Sequence, residues 1–583
     1  MCLPIGRRRH GFGLMIVEFA IILGLTCFVV LPAHASVPSS YDPREAGLVS
    51  GECDQAPWGM CWDFAGMMAL ESYLVTNGLA DAGIDLSEEA VPWHVLAICR
   101  EQMGAGQAFG WTVGRGTRDD SGYAAMMTGY FMSWLGPNLE RDIPYYRGSD
   151  KDPMGAYPLE ERPAALDSAS KPFQVTDIVY FENPTRDEVK EAVLSFGGVA
   201  TGCNLSLDCY REDTAALWYP APEADPYVNH AVCIVGWNDS FPRTSFQDQE
   251  GNLPASDGAW LVKNSERSDG VAAYLWVFYE DGAVLTSDWF NPIYAVAGAR
   301  TTTDRYVYRV DDLGASTLVS SKDAEKAARA AEDALSDGGG TLTCANVYDF
   351  AESERIAEVM FMSMAKGAAY RLFYLPVDDT GAPVLDESRM IELACGVVEH
   401  AGYTTVELGD GAVLPSGSGA LVIELASDIV EPSLGADASV TSMGLDYSTS
   451  RVNGDRSFYL VDGDTVPTSD NPNMPVKFVL RAYGAPDETG GDGDGSGEGG
   501  GAGESGGSAG SGSDDGSGES ADDGSTVDVG GDTEVAAGST RDPLPATSDA
   551  SFRLTFGAAA FALAASAVVW RIALRSVQSP RRR

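Results

Sequence analysis

The pattern of apolar and polar positions divides the chain into four kinds of segment. Apolar runs occur near the two ends, at residues 11–31 and 554–570. Residues 40–290 contain longer apolar stretches of helical and strand character, and residues 294–484 contain short alternating runs separated by turns. Residues 485–543 are almost wholly Gly, Ser, Asp, Glu, Thr and Ala. The pattern predicts two folded units, a linker and two apolar terminal segments.

The second unit is predicted to be a β-sandwich, because its apolar and β-branched runs are short and are bounded by Gly, Asp, Pro and Ser. One segment differs, since residues 322–335 are rich in Ala, Glu and Lys and predict a short surface helix. The predicted strands are residues 305–310, 342–350, 356–364, 369–375, 403–408, 419–425 and 476–482.

The net charge of the chain indicates which classes of partner it can bind. The 583 residues include 85 Asp and Glu against 39 Lys and Arg, and the formal net charge is -46. Binding to DNA or RNA requires a basic face, so we expect no nucleic-acid partner. The acidic residues 485–543 carry too little apolar surface to offset chain entropy, which predicts a disordered, self-repelling spacer.

The two ends predict export and anchoring. Arg7, Arg8 and Arg9 precede the first apolar run, which ends in small residues and is typical of a secretory signal cleaved after Ala35. A retained N-terminal anchor is the alternative. At the other end, residues 554–570 can span a bilayer, and Arg571 begins a basic tail that is expected to stay cytoplasmic. The body of the protein would then face outward.

Residues 544–548, which read Leu-Pro-Ala-Thr-Ser, stand just before the C-terminal apolar run. This layout of pentapeptide, apolar segment and basic tail resembles the cell-wall sorting signal of Gram-positive bacteria. The resemblance implies cleavage after Thr547, but Ser548 stands where the signal has Gly. Covalent attachment to the wall and retention in the membrane are therefore the two alternatives.

Export also bears on the cysteines, because an even set of disulfides is the usual state outside the cell. Sequence proximity makes Cys203–Cys209 and Cys344–Cys395 plausible pairs, although connectivity cannot be read from a sequence. If one cysteine is a nucleophile, at least one other is left unpaired. The mature chain would contain Cys53, Cys61, Cys99, Cys203, Cys209, Cys233, Cys344 and Cys395.

Cys61 is the strongest candidate for a nucleophile. Pro57 and Gly59 break the chain, and a helical pattern begins at Cys61. At a helix N-terminus the dipole and the free backbone N–H groups favour a thiolate. Such a thiolate attacks a substrate effectively when an imidazole forms an ion pair with it and later protonates the leaving group.

Few imidazoles are available to this thiol. His230 opens an apolar, β-branched run that predicts a buried strand, and a second predicted strand, residues 258–265, ends near Asn264. A polar ring at such a position is costly without partners. The Asn264 side chain could accept a hydrogen bond from the imidazole and fix its orientation.

Together, residues 55–65, 229–237 and 260–265 resemble the papain-like cysteine peptidases. The resemblance implies that Cys61 is the nucleophile, His230 the general acid and base, and Asn264 the residue that orients the imidazole. It also implies that Gln55 donates to the oxyanion with the Cys61 N–H group, and that Gly122 lies beside the bound peptide backbone. No metal or other cofactor is expected.

Several positions depart from the family pattern. Asp63 replaces a small residue two positions after Cys61, and Trp58 stands where the family often has Cys. Asn264-Ser265 is usually followed by Trp-Gly, and that Trp shields the hydrogen bond between His and Asn from water. Here Glu266 and Arg267 follow.

In the second unit, residues 306–308, 311–314 and 344–348 resemble the lectin-like domain that follows the peptidase in a set of bacterial surface papain relatives. Carbohydrate binding is implied by the name of that domain. A structural cap on the peptidase is the alternative.

We therefore predict an α+β papain-like, two-lobed catalytic domain, followed by a β-sandwich domain, a disordered linker and a C-terminal transmembrane segment. The predicted function is that of a secreted cysteine endopeptidase tethered to the cell surface by membrane or wall, with peptide or protein substrates and surface glycans as an additional partner. The alternative is an inactive papain-like adhesin or glycan-binding protein.

The predicted boundaries are 1–35 for the signal peptide, 36–292 for the peptidase domain, 293–484 for the lectin-like domain, 485–550 for the linker with the sorting-like motif, and 551–583 for the anchor and tail.

Overall fold

The computed structural model describes residues 37–486, except 103–109, 114–116, 119, 149–154, 158–160, 221–226, 249, 304, 313, 330–339, 351–353, 443–444, 450–455 and 471–474. The predicted signal peptide, nearly all of the linker, the sorting-like motif and the C-terminal apolar run lie outside the described residues. Within the described part of the chain, no helix is both long and apolar enough to cross a bilayer.

The longest described helix, α2, begins at Cys61 as the pattern predicts, and nearly every side chain from Trp62 to Val75 is buried. Its apolar residues surround the whole helix, so packing on all sides rather than one amphipathic face stabilises it. The helices are α1 (Pro43–Ala46), α2 (Cys61–Thr76), α3 (Ala90–Val95), α4 (Ala97–Gln102), α5 (Ala124–Ser133), α6 (Arg186–Phe196) and α7 (Ser321–Arg329).

Strands of the first unit form a mainly antiparallel sheet in the order β3-β10-β4-β7-β8-β9-β6-β5, with β1 paired to β7. Helix α2 packs against β7, which brings the start of that helix close to the start of the strand. The strands are β1 (Ser40–Tyr41), β2 (Gly110–Trp111), β3 (Phe173–Phe181), β4 (Val199–Cys203), β5 (Tyr210–Arg211), β6 (Ala216–Leu217), β7 (His230–Asn238), β8 (Ala259–Lys263), β9 (Tyr274–Phe278) and β10 (Ile293–Thr301).

The second unit is β-rich, and its observed strands overlap all seven predicted runs. Helix α7 covers the first part of the helix predicted over residues 322–335. The strands are β11 (Tyr306–Tyr308), β12 (Thr317–Ser320), β13 (Gly340–Phe350), β14 (Glu354–Ser363), β15 (Ala369–Pro376), β16 (Ile391–Val397), β17 (Gly402–Val413), β18 (Gly417–Ser427), β19 (Ser433–Ala438), β20 (Val440–Ser442), β21 (Leu445–Thr449), β22 (Ser457–Val461), β23 (Asp464–Pro467), β24 (Val476–Phe478) and β25 (Leu480–Pro486).

The two units share one continuous sheet, in which β11-β25-β14-β17 of the second unit extend the sheet of the first through β3. The junction is short, with Gly402 opposite Val179 and Tyr403 opposite Ile178. Gly402 has φ of 123°, and a Cβ atom there would come within 2.0 Å of the carbonyl oxygen of Ile178. Only glycine permits this approach, so Gly402 allows the two sheets to join.

Apolar clusters fill both units, and one of them extends from the first unit to Met360, Tyr403 and Tyr483 of the second. In the first unit, helices α2, α3 and α5 enclose one cluster, while β4, β7, β8, β9 and α6 enclose another. In the second unit, side chains of β14 and β25 pack with side chains of β13, β15 and β18 in a shared core between two sheets. Cys61 and His230 therefore stand where the helical part of the first unit meets its sheet.

The buried Arg481 side chain links the C-terminal strand β25 both to Asp311 of its own unit and to the first unit. Arg481 and Asp311 are both fully buried and form two charge-assisted hydrogen bonds, one of them 3.0 Å from Nε to Oδ1. The same guanidinium also donates to the carbonyl oxygen of Met132 in α5. Nearby, the rings of Trp134 and Tyr483 stack with their centroids 3.9 Å apart.

The suggested disulfides Cys203–Cys209 and Cys344–Cys395 are wrong, because Cys203, Cys209 and Cys344 are free thiols. Cys203 and Cys344 lie on strands, and all three thiols are buried within apolar clusters. There they pack as small hydrophobic side chains. Proximity along the chain does not supply the Cα and Cβ geometry that a disulfide needs.

We expect Arg481→Met to lower the free energy of unfolding by about 3–5 kcal/mol, because it leaves the Asp311 carboxylate buried and without its counter-charge. Urea denaturation of the protein would measure the change. The matched control is Arg456→Met, which removes an exposed pair with Asp349, and here we expect less than about 1 kcal/mol. Equal effects of the two substitutions would contradict the assignment.

Candidate active site

Cys61 occupies the first position of α2, with Met60 as its N-cap. The Met60 side chain makes no capping hydrogen bond, so the first N–H groups of the helix are not satisfied by a cap. After burial, which opposes it, and the hydrogen bond and charge of His230, the backbone N–H groups of Ala231 and Trp62 also lower the pKa of Cys61. The helix terminus therefore supplies donors to a negative charge on sulfur.

His230 begins β7 and is buried opposite Cys203 of β4. Its Nε2 atom lies 2.8 Å from Oδ1 of Asn264. An amide oxygen only accepts hydrogen bonds, so Nε2 carries the proton and donates. The imidazole also hydrogen-bonds the Cys61 thiol, and Nδ1 is the ring nitrogen left for this contact.

The pKa values of these two groups move in opposite directions. Burial disfavours a thiolate, but the hydrogen bond from His230 and its positive charge outweigh burial and lower the pKa of Cys61. Burial likewise disfavours the imidazolium, but the hydrogen bond and charge of Cys61, followed by the hydrogen bond with Asn264, raise the pKa of His230. Both shifts favour an ion pair of thiolate and imidazolium.

Asn264 is completely buried, immediately after β8. Its Nδ2 atom donates to the carbonyl oxygens of Glu266 and Ala272, the latter at 2.9 Å. Its Oδ1 atom accepts from the backbone N–H of Glu266 at 3.1 Å as well as from His230. These contacts hold the amide in one orientation, with its oxygen toward the imidazole.

Gln55 is buried in the loop before α2 and is tied to the loop that carries Asn264. Its Oε1 atom accepts from the Ser265 hydroxyl at 2.8 Å, and its backbone N–H donates to the Ser265 carbonyl at 2.9 Å. Its Nε2 atom donates to the carbonyl oxygen of Trp58 at 3.0 Å. An amide nitrogen has two hydrogens, so one donor remains for another acceptor.

Gly122 lies directly against Trp62, the residue that follows Cys61. A Cβ atom at Gly122 would come within 2.4 Å of the Trp62 indole ring. The absent side chain thus accommodates the indole. The structure places Gly122 near the nucleophile, and its contact with a substrate backbone stays a prediction.

Three buried polar residues were missed by the sequence analysis. Lys263, the last residue of β8, donates to the Ser50 hydroxyl at 2.7 Å and lies 3.6 Å from Glu71 of α2. Ser50 in turn donates to Glu71 at 2.6 Å. The network connects the helix of Cys61 to the strand before Asn264. Its sequence signal is a single charge in each of two apolar stretches, Glu71 within residues 64–76 and Lys263 within residues 259–263.

Two parts of the chain match known protein families. Residues 37–282 match the sequence model of the papain family cysteine protease, and residues 331–484 match that of the lectin like domain. Residues 37–282 belong to the papain family. The second match agrees with the β-rich unit described above, so a lectin-like domain follows the papain-family domain.

Similar proteins include cathepsin L of Sarcophaga peregrina, which is 27% identical over 242 residues, or 40% of this chain and 56% of the relative. Cathepsin J of Mus musculus is 26% identical over 236 residues, or 40% of this chain and 58% of the relative. The chain thus spans just over half the length of the curated relatives it matches.

Two solved structures of Cwp84 resemble both units together. One is described as a clostridial cysteine protease after propeptide cleavage, with a TM-score of 0.64, 27% identity, and coverage of 77% of this chain and 99% of that chain. The other contains the cysteine protease and lectin-like domains of Cwp84, a surface layer associated protein of Clostridium difficile. It has the same TM-score and identity and covers 77% of this chain and 89% of that chain.

Asp63 distinguishes this papain-family domain by placing a carboxyl group in the first turn of α2. The side chain is fully buried, and neither oxygen has a hydrogen-bond partner among the described residues. Burial first, and then the nearby carboxylates Glu88, Glu89 and Glu140, hold the pKa of Asp63 well above its ordinary value. The uncharged acid is therefore the form that the folded protein favours.

Because the pKa of Asp63 is higher in the folded than in the unfolded chain, the free energy of unfolding falls as the pH rises. Below about pH 4 Asp63 is protonated in both folded and unfolded chains and has no effect. Above that pH, ionisation of Asp63 stabilises the unfolded chain but not the folded one. The free energy of unfolding therefore falls by up to about 1.4 kcal/mol per pH unit until the native pKa is reached.

We expect Asp63→Asn to reduce the loss of thermal stability between about pH 5 and about pH 8, since the amide does not ionise. Differential scanning calorimetry of wild type and variant at both pH values would measure this. Asp208→Asn, at an exposed position, serves as the control. A pH dependence of Asp63→Asn identical to wild type would disprove the role of Asp63.

Proposed function

We propose that this protein is a cysteine endopeptidase that hydrolyses peptide bonds through an acyl-enzyme on Cys61. The observation that carries the proposal is the chain of contacts from the Cys61 thiol to His230 and from His230 Nε2 to Asn264 Oδ1 at 2.8 Å. It combines a nucleophile, a base within hydrogen-bonding distance and a group that orients the base.

In the first step, the Cys61 thiolate attacks the carbonyl carbon of the scissile bond and the carbonyl oxygen becomes an oxyanion. The free Nε2 hydrogen of Gln55 and the backbone N–H of Cys61 are the proposed donors to that oxygen. The His230 imidazolium then gives its proton to the leaving amine. The C–N bond breaks and an acyl-enzyme remains.

In the second step, neutral His230 removes a proton from water, which attacks the thioester and releases the acid. Asn264 keeps Nε2 protonated throughout, so the proton moves on Nδ1, the nitrogen facing sulfur. The resulting chemistry requires no partner other than the peptide and water.

The inactive adhesin predicted as the alternative is less well supported. Glu266 replaces the family Trp, but the Asn264 amide is still buried and has hydrogen bonds on both its oxygen and its nitrogen. The lectin-like match supports surface glycans as a second partner. The net charge of -46 disfavours anionic partners, nucleic acids included.

We expect Cys61→Ala to abolish hydrolysis of an unstructured protein substrate, because the nucleophile is lost while one small side chain changes. Cys53→Ala is the matched control, since burial raises the pKa of that thiol and keeps it protonated. Turnover by the purified enzyme, together with mass spectrometry after treatment with a peptidyl epoxide, would test both. Wild-type turnover by Cys61→Ala would refute the proposal.

We also propose that the protein is exported and held on the outer face of the cell by its C-terminus. Support comes from the sequence alone, namely the N-terminal signal-like segment, the spacer and the sorting-like residues 544–548. For sorting to the wall, mass spectrometry should find a peptide that ends at Thr547 and carries a wall fragment. An intact peptide across Thr547 and Ser548, found only in detergent extracts, would instead indicate retention in the membrane.

A further inference from the structure

The hydroxyl of Tyr145, in the segment between α5 and β3, contacts the main chain of the proposed oxyanion donor. It donates to the carbonyl oxygen of Gln55 at 2.8 Å, and both side chains are buried. Burial raises the pKa of Tyr145, so the phenol stays protonated and remains a donor. The catalytic steps described above make no use of this side chain.

The carbonyl oxygen that Tyr145 contacts belongs to a turn that also fixes the Gln55 side chain. This oxygen accepts from the backbone N–H of Trp58 at 3.1 Å, while Gln55 Nε2 donates to the Trp58 carbonyl oxygen at 3.0 Å. Main-chain and side-chain contacts of Gln55 are therefore parts of one turn. A shift of the main chain in this turn also shifts the amide nitrogen that holds the free hydrogen.

The two residues that follow Tyr145 contact the same loop. The Tyr146 carbonyl oxygen accepts from the indole N–H of Trp58 at 2.7 Å, and the planes of the two rings differ by only 4°. Arg147 Nη1 donates to the carbonyl oxygen of Ala56 at 3.1 Å. Three consecutive residues thus contact three positions of one short loop.

The segment that makes these contacts is itself held by buried charged groups. The backbone N–H of Tyr145 donates to Glu140 Oε1 at 2.8 Å, and that of Tyr146 donates to Glu89 Oε2 at 3.3 Å. Glu89 forms a buried ion pair with Arg118 at 2.6 Å, and the Arg118 guanidinium lies 4.3 Å from the centroid of the Tyr146 ring. None of these contacts involves the Tyr145 hydroxyl, so the segment supports it independently.

We propose that Tyr145 is a positioning residue for Gln55: its hydroxyl fixes the Gln55 main chain so that the free Nε2 hydrogen stays directed at the oxyanion. The inference rests on the proposed peptidase function and extends it to a residue that does not touch the reacting atoms. An oxyanion donor is effective only within about 2.7–3.1 Å of the developing charge, so a small displacement of Gln55 weakens its interaction with the transition state.

Tyr145→Phe isolates the role of the hydroxyl. The ring of Tyr145 meets the ring of Phe64 in α2 edge to face, with the centroids 5.0 Å apart, and phenylalanine keeps this contact. The Gln55 carbonyl oxygen also keeps the Trp58 N–H as a donor. The substitution therefore removes one hydrogen bond and leaves the packing around it in place.

The experiment measures kcat and KM of wild type and Tyr145→Phe on a peptide substrate. We expect kcat and kcat/KM to fall equally, by about 10-fold, with KM within about 2-fold of wild type, because the weakened interaction is made only in the transition state. Titration of Cys61 with a peptidyl epoxide gives the concentration of active enzyme, so unfolded protein does not count as a loss of kcat. An unchanged kcat per titrated site would overturn the inference.

Tyr348→Phe is the matched control, because the Tyr348 hydroxyl also donates to a buried backbone carbonyl, that of Leu480 in the second unit. Both substitutions should lower the temperature of unfolding, since each removes a buried hydrogen bond. Only Tyr145→Phe should lower kcat per titrated site. An equal fall of kcat in Tyr348→Phe would mean that a general loss of stability explains the effect, against the inference.

A double-mutant cycle tests whether Tyr145 acts through Gln55. Gln55→Ala removes the donor and should lower kcat by about 10²-fold to 10³-fold. On that background Tyr145→Phe should change kcat by less than about 2-fold, because no amide remains to be positioned. A further 10-fold fall on the Gln55→Ala background would show that Tyr145 acts by another route, and the inference would be wrong.

The same variants separate failure of the inference from failure of the proposed function. If Cys61→Ala retains wild-type turnover, the proposed function fails, and the role of Tyr145 fails with it. If Cys61→Ala is inactive but Gln55→Ala has wild-type kcat, the nucleophile stands and the positioning of Gln55 by Tyr145 is rejected.

Discussion

The hydrogen bond between His230 and Asn264 is the constraint on which the rest of the catalytic unit depends. It joins the start of β7 to the end of β8, both side chains are buried, and the other ring nitrogen is left for Cys61. Burial alone would favour a neutral thiol and a neutral imidazole. The three side chains offset this cost because Asn264 hydrogen-bonds His230 and His230 hydrogen-bonds Cys61. The backbone N–H groups near the helix terminus further favour the thiolate.

The surrounding structure keeps the elements that carry these groups in register. Lys263, Ser50 and Glu71 tie β8 to α2, while Gln55 and Ser265 tie the loop before α2 to the loop after β8. Each link contains a buried polar group that would be costly if its partner moved. The site is therefore fixed on both sides of the boundary between helices and sheet, without a disulfide among Cys53, Cys61, Cys99, Cys203, Cys209 and Cys233.

The second unit is packed against the first, since its strands continue the sheet of the first and its last strand contacts α5. The pair of Arg481 and Asp311 is buried, and its guanidinium also reaches the carbonyl of Met132 at the end of α5. Helix α5 begins two residues after Gly122, beside the nucleophile. The lectin-like domain thereby contacts the helix that begins next to Gly122.

The sequence by itself determined the start of α2 at Cys61, the strands that begin at His230 and end before Asn264, and the β-rich character of the second unit. These are local properties, set by chain breakers, periodicity and β-branched runs over about ten residues. Only the tertiary structure decided the burial of Asp63, the partners of Lys263 and Arg481, the free state of the thiols, and the sheet shared by both units. Lys263 meets Ser50 across 213 positions and Arg481 meets Asp311 across 170. Contacts at such separations depend on how distant elements pack, and no local pattern encodes them.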